Sequence, residues 1–209
     1  MKNDNMDSGR LEAFVDAIIA IVITIIVLGF PQPENTSFEA IWNLKPVFFA
    51  YLTSFITCFT MWYSHHNMFH YIKRIDRKVI VSTGIMLFWI TLLPFLTIYV
   101  AENFNSSIPQ LLYGITFVII EASYLLTTKF LLDIKDNKKL RYQLCAHKVA
   151  QRFYLYIVGF IGLFMGIPEI MSVACFVSIA IFYIPIKQIR HCVITEEYTD
   201  ENIQTSTSS

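Results

Sequence analysis

Charged side chains stand at the start of a long apolar run near the beginning of the sequence. Arg10, Glu12 and Asp16 lead into residues 11–30, which carry no charge after Asp16. At about 1.5 Å of rise per residue, a helix over this run is roughly 30 Å long, the thickness of the hydrocarbon core of a bilayer. A charged side chain at that depth costs about 2.5–3.5 kcal/mol and is expected to face protein or water. Asp16 therefore predicts a polar pathway or a buried polar network.

Histidines close to the end of a second apolar run offer a different chemistry. His66 and His70 share a helix face, and His65 is adjacent to them. Two histidines at this spacing can bind a metal ion, but the HExxH glutamate is missing and no cysteine or carboxylate cluster nearby completes a tetrahedral site. Ser64 beside His65 is no nucleophile and base pair, because neighbouring helix residues point about 100° apart. We expect no metal site and no catalytic residues here.

Glu121 is a second acidic residue inside an apolar run. It can serve as a proton or ion ligand, or it can hydrogen-bond to a neighbouring helix, and the sequence leaves both open. No GxGxxG, GxxxxGKS/T or CxxCH motif is present, so no cofactor is expected. Gly159, Gly162 and Gly166 instead form a small-residue stripe that is typical of close helix packing.

The elements that position these residues are membrane spans. Hydrophobic residues make up 55% of the chain and charged residues 15%, which predicts an all-α integral membrane protein with a multi-pass topology. The formal net charge is zero, and no nucleic-acid partner is expected. The predicted spans are residues 11–30, 47–69, 79–101, 109–132, 150–167 and 170–187.

Basic residues lie in alternate connections between these spans. Residues 73–78 and 135–152 hold the two basic clusters, whereas the other connections contain only Lys45 as a basic residue. By the positive-inside rule, both termini are then cytoplasmic, and the plasma membrane is the expected location. We divide the chain into a transmembrane domain, residues 1–190, and a polar cytoplasmic tail, residues 191–209, expected to be disordered.

The first predicted span has two kinds of face. Ile21, Ile25 and Leu28 follow one another at helical spacing, and an adjoining stripe is made of small residues. The small residues are Ala13, Ala17, Ala20 and Thr24. If copies of this helix surround an axis, the large side chains form apolar rings that can gate by dewetting. The alternative is that the isoleucines face lipid, and the pattern alone favours lipid.

Two segments carry a family resemblance. Arg10, Phe14 and Asp16 resemble the RxxxFSD signature of the transmembrane protein 175 family of potassium channels, with Val15 where the family usually has serine. Residues 62–69, WYSHHNMF, resemble the tryptophan and histidine segment that accompanies that signature. The resemblance implies a homotetramer of six-span chains in which the first helix of each lines a central pore. The TVGYG carbonyl filter is absent.

The resemblance also implies residue roles. Ile21, Ile25 and Leu28 would form the hydrophobic constriction, narrowest at Ile21, and Thr24 would be the polar group closest to a passing ion. A structural polar network would hold the first two spans together. Its implied members are Arg10, Phe14, Asp16, Trp62, His65 and Asn67. Because Val15 has no hydroxyl, any hydrogen bond that the family serine makes in this network is missing here.

The resulting hypothesis is a potassium-preferring cation channel that catalyses no reaction. Its partners are further copies of itself, the lipid bilayer and monovalent cations, with permeant potassium and no cofactor. The main alternative is a proton pathway through Asp16, Glu121 and the histidines. A membrane scaffold or enzyme would need a complete metal or nucleophile set, which is not found. A secondary transporter is disfavoured because no inverted repeat is evident.

Overall fold

The computed structural model of the protein describes residues 8–70, 72, 75–134 and 146–179. Regular structure in these ranges is entirely helical. The helices are α1 Ser8–Leu28, α2 Phe38–Asn43, α3 Lys45–His70, α4 Arg77–Thr91, α5 Leu93–Glu102, α6 Ser107–Asp133, α7 Ala146–Phe164 and α8 Glu169–Ile179. The predicted tail 191–209, and residues 180–187 of the sixth predicted span, lie outside the described residues.

Four helical segments are long and apolar enough to cross a membrane. They are α1, residues Lys45–Phe69 of α3, α4 together with α5, and α6, each 21 to 27 residues long. The apolar parts of α7 and α8 are shorter within the described residues, Phe153–Phe164 and Glu169–Ile179. The predicted all-α membrane fold is therefore confirmed, while the number of six spans stays a prediction.

A break at Leu92 divides the third predicted span, residues 79–101, into α4 and α5. Pro94 lies in the first turn of α5 and has no backbone N–H, so it cannot donate to the carbonyl four residues earlier. The Leu92 N–H donates to the Trp89 carbonyl oxygen, three residues back, at 3.2 Å. The third span is thus two helices that meet at a proline kink.

The hydrophobic core is built on one face of α1. Val15, Ile19, Val22 and Ile26 recur every three or four residues, and each is at most 3% exposed. This face packs against α3, α4 and α5. α6 in turn packs against α4, α5 and α7.

The α7–α8 hairpin corrects one prediction about the glycine stripe. Gly159 and Gly162 do lie at a close helix contact, since an added Cβ would stand 2.8 Å from Met171 Sδ and from Ile170 Cβ, respectively. Gly166, however, lies beyond the end of α7 with a φ of +79°. The Ile167 N–H donates to the Gly162 carbonyl oxygen at 2.9 Å, and the Gly166 N–H donates to Leu163. Gly166 therefore terminates the helix in a Schellman motif and takes no part in helix packing.

Candidate functional site

The face of α1 opposite the core is exposed in the single chain. Ile21, Ile25 and Leu28, the predicted constriction, are 57%, 46% and 81% exposed. Of the four long apolar segments, α1 is the least buried. In its most apolar 18 residues 28% are buried, against 44–50% in the other three segments. α1 therefore has an inner face that packs against three helices and an outer face that the described residues leave largely exposed.

Small residues occupy the centre of this outer face. Ala13, Ala17, Ala20 and Thr24 are all exposed and lie directly opposite the buried valines and isoleucines. Stripes of small residues let the backbones of membrane helices approach one another closely. The Thr24 hydroxyl donates to the Ile21 carbonyl oxygen at 2.7 Å, so the lone pairs of Thr24 Oγ1 remain available to a cation.

A polar contact joins α1 to α3 at one end of the bundle. Glu12 Oε1 and His66 Nδ1 are 2.8 Å apart, and the His66 ring stacks on Trp62 with centroids 5.8 Å apart. Sequence reasoning missed this pair, although the sequence held a signal for it. Glu12 precedes Asp16 by one turn on α1, and His66 follows Trp62 by one turn on α3. In antiparallel packing, a register that places Asp16 level with Trp62 therefore also places Glu12 level with His66.

The predicted network is only partly assembled within one chain. Asp16 lies one turn deeper than Glu12, and its Oδ1 atom is buried without a hydrogen-bond partner among the described residues. His65 is fully buried and stacks on Phe69 with centroids 4.1 Å apart, and its ring nitrogens have no hydrogen-bond partner in those ranges. Arg10 and Asn67 are exposed on the surface of the chain.

Phe14 is exposed as well, at 56%. It lies on the same outer face of α1 as Ile21 and Ile25, whereas the partly buried Trp62 packs toward the core. The predicted network members therefore fall into an inner group and an outer group. The inner group is Asp16, Trp62 and His65; the outer group is Arg10, Phe14 and Asn67.

A second polar cluster surrounds Glu121 between α6, α7 and α8. The Tyr156 hydroxyl donates to Glu121 Oε2 at 3.0 Å, and Ser178 Oγ lies 3.0 Å from the Tyr156 oxygen. A cavity of about 10 Å³ borders these side chains and is also lined by Thr57 and Thr60 of α3. This is the room that one water molecule needs. All three side chains are buried.

The protein resembles known channels over most of its length. Residues 10–94 match the family described as the endosomal/lysosomal potassium channel TMEM175. A potassium channel of Chryseobacterium sp. (strain P1-3) is 32% identical over 137 residues, which is 65% of this chain and 71% of that protein. The chain belongs to the TMEM175 family. Its members are ion channels, which confirms the predicted family and the expectation that the chain is no enzyme.

Further relatives extend the likeness. A potassium channel of Chamaesiphon minutus is 34% identical over 47% of this chain and 52% of its own length. The crystal structure of a lysosomal potassium-selective channel TMEM175 homolog from Chamaesiphon minutus has a TM-score of 0.68 and 26% identity, covering 85% of this chain and 96% of that one. The human relative, named an endosomal/lysosomal proton channel, is 28% identical over 37% of this chain and 18% of its own length.

No group of three or more histidine, cysteine, aspartate or glutamate side chains suited to a metal ion occurs among the described residues. His65 and His66 instead take part in ring stacking, and His66 also contacts Glu12. His66 and Glu12 are both partly solvent-accessible, at 47% and 24%.

The Glu12–His66 contact generates a quantitative prediction. Replacing both residues, Glu12→Gln and His66→Ala, should reveal a coupling energy of about 0.2–1 kcal/mol, the range of partly exposed pairs. Thermal unfolding of the four proteins of the double-mutant cycle in detergent measures it.

A matched cycle combines Glu12→Gln with Lys129→Gln, an exposed charge on α6, and should show no coupling. If the Glu12–His66 cycle also gives zero, the contact does not hold α1 to α3.

Proposed function

We propose that the protein is a homotetrameric, potassium-preferring cation channel in which α1 of each chain lines a central pore. The observation that carries this proposal is the outer face of α1, where large apolar side chains stand beside a stripe of small ones. Lipid alone would account for Ile21, Ile25 and Leu28. The small-residue stripe points to close contact with another helix, and the inner face of α1 is already occupied by its own chain.

The proposed constriction consists of stacked apolar rings. With 1.5 Å of rise per residue, rings at Ile21, Ile25 and Leu28 are separated by about 6 Å and 4.5 Å along the axis. An ion crossing such rings loses part of its hydration shell, which makes a narrow apolar segment both a gate and a barrier. Thr24 lies between the first two rings and offers a hydroxyl oxygen to the dehydrated cation.

We further propose six spans with both termini cytoplasmic, in the plasma membrane. The basic clusters in alternate connections support this orientation. Residues 1–190 would form the channel domain and residues 191–209 a cytoplasmic tail. Potassium preference is supported by the printed names of the bacterial relatives, and no cofactor is proposed.

The proposed pore is tested by wetting its narrowest ring. Ile21→Asn should raise cation flux severalfold and reduce the preference for potassium over sodium, because a polar ring holds water in the constriction. Flux of each ion into liposomes that contain the purified protein measures both effects. Ile25→Asn and Leu28→Asn should act in the same direction but less strongly.

Ile161→Asn is the matched control, since Ile161 is 52% exposed on α7 and lies outside the proposed pore. It should leave flux and selectivity unchanged. An Ile21→Asn protein that remains tetrameric and conducts like the unmodified protein would contradict a pore at this position.

We also propose that the polar network acts in assembly. Arg10, Phe14 and Asn67 are exposed in the single chain, so contacts with a neighbouring subunit are open to them. Asp16, Trp62 and His65 would support the network from the inside, at the α1–α3 contact. Because Val15 is fully buried in the core, the position that carries serine in the family contributes packing here.

This role predicts an assembly defect. Arg10→Ala and Asp16→Ala should each lower the yield of tetramer in detergent, because removing one member strands a polar partner at a cost of up to about 3 kcal/mol where the oligomer buries it. Size-exclusion chromatography with light scattering measures the oligomer. Lys45→Ala, an exposed cation outside the network, is the control. Normal assembly of both variants with altered ion preference would show that these residues act in conduction.

A proton pathway is the second candidate function. The buried Glu121–Tyr156–Ser178 cluster and the vertebrate relatives named proton channels favour it. A relay needs titrating groups that accept and release protons in sequence. Glu121 accepts from the Tyr156 hydroxyl of α7, which in turn accepts from Ser178 of α8, whereas His65 stacks on Phe69 within α3. We therefore prefer a structural role for both side chains. Ions would then pass through the central pore that α1 lines.

Neutral replacements separate the two functions. Glu121→Gln and His65→Gln should leave the potassium current largely intact and should not abolish the proton current, if both side chains are structural. Recording the two currents separately on each variant measures this. Tyr156→Phe removes the hydroxyl that donates to Glu121 and serves as a control for disturbance of the cluster. Selective loss of the proton current in a correctly assembled variant would instead favour the relay.

A further inference from the structure

A groove lies on the surface between α4 and α6, where α4 begins. It has a volume of about 570 Å³ and is open along one side. Val81 and Ile85 line one wall at a spacing of four residues, and Leu126 and Phe130 line the other at the same spacing. These side chains are apolar, and Val81, Ile85 and Leu126 are more than 40% exposed. The groove extends for roughly 12 Å from Arg77 to Ile85, which are eight helical rises apart.

Positive charge is concentrated at one end of the groove. Arg77 and Lys78 border it in the first turn of α4, and both are exposed. Lys78 Nζ lies 5.9 Å from the centre of the Phe130 ring, so the lysine spans the mouth between the two walls. Asp76, the acidic residue at this end, uses Oδ1 to accept from the Val79 N–H at 3.0 Å. Arg77 and Lys78 have no ion-pair partner within the part of the chain that the structure describes.

The walls of the groove are held at a fixed separation. Thr127 Oγ1 on α6 donates to Ser82 Oγ on α4 at 2.9 Å, and both hydroxyls are buried beneath the groove. Interhelical hydrogen bonds of this kind hold membrane helices together. The groove is therefore a formed feature of the α4–α6 pair and does not depend on rotation of a surface side chain.

We propose that this groove binds one anionic phospholipid, with the phosphate at Arg77 and Lys78 and an acyl chain along Val81, Ile85 and Leu126. The apolar walls lie within a membrane-crossing segment, and the cations lie at its end, where phospholipid headgroups are found. Basic residues at that level attract anionic headgroups of the cytoplasmic leaflet, the side assigned here by the proposed topology. A zwitterionic lipid would fill the same walls but would gain less from the two cations.

Native mass spectrometry of the delipidated full-length protein tests the site. The protein is incubated with equal amounts of phosphatidylglycerol and phosphatidylcholine, and we expect phosphatidylglycerol adducts to predominate. Arg77→Gln and Lys78→Gln should each lower that preference about fivefold, since one basic residue near an anionic surface contributes a factor of that size. Lys45→Gln, an exposed cation outside the groove, should leave the preference unchanged.

Filling the groove tests the acyl-chain part. Ile85→Trp should reduce binding of both lipids. Leu126→Trp on the opposite wall provides a second variant if circular dichroism shows that the first does not fold.

Unchanged phosphatidylglycerol binding in the Arg77→Gln, Lys78→Gln double variant would overturn the proposal. Complete displacement of the lipid by inorganic phosphate would identify a free-anion site instead. A change in oligomer mass without a change in lipid binding in the tryptophan variants would show that a second copy of the chain occupies the groove.

Discussion

The structure depends on one constraint: the hydrocarbon of a bilayer offers no hydrogen bonds to the groups that cross it. α3 meets this constraint with a line of hydroxyls at Thr53, Thr57, Thr60 and Ser64. Each donates to a carbonyl three or four residues earlier, at 2.7–3.0 Å, and each is buried. Small hydroxyl side chains satisfied within their own helix let neighbouring helices pack closely without stranding a polar group.

The same constraint explains which polar groups bridge between helices. Ser54 of α3 is within 2.8 Å of Thr97 Oγ1 on α5 and within 2.7 Å of the Tyr113 hydroxyl on α6. Gln110 accepts from Ser172 of α8 at 2.7 Å and donates to the Phe104 carbonyl oxygen at 2.8 Å. These bonds fix the positions of α5, α6 and α8 around α3. α1 reaches this scaffold through its apolar inner face and the Glu12–His66 contact, which leaves its outer face for other contacts.

Much of this fold could be predicted from the sequence, because apolar run length and helix rise together determine where a span begins and ends. α1, α3 and α6 each fall within three residues of their predicted limits. Pro94 carried the signal for the break in the third span, but a run of apolar residues looks continuous to a hydropathy count. Gly166 was assigned to a packing stripe from spacing alone, whereas its positive φ depends on where α7 ends. The spacing along α1 and α3 predicts the Glu12–His66 pair only once the register between the two helices is known, and the pattern of a single helix does not give that register.

For the candidate site, too, the sequence predicts what depends on spacing within one helix and does not predict what depends on the arrangement of several helices. The exposure of Ile21, Ile25 and Leu28 follows from helical spacing, since the buried positions of α1 occupy the opposite face. Arg10 and Asn67 are exposed in the single chain, and spacing along one helix does not give the partner of an exposed side chain. Glu121 was recognised as an intramembrane acid, but its closure by Tyr156 and Ser178 required three helices to meet.

Apolar and polar functions are separated in space by this arrangement. The outer face of α1 presents isoleucine, leucine and alanine, while the buried acid of the Glu121 cluster lies in α6 and bonds to Tyr156 of α7. α1 packs against α3, α4 and α5, whereas α6 packs against α4, α5 and α7. A cation in the proposed pore, which α1 lines, would therefore pass apolar rings and would not meet this acid. A change in the charge of Glu121 could alter the proposed pore only by shifting the packing of the helices. A rigid core transmits such a shift only where it has two discrete arrangements.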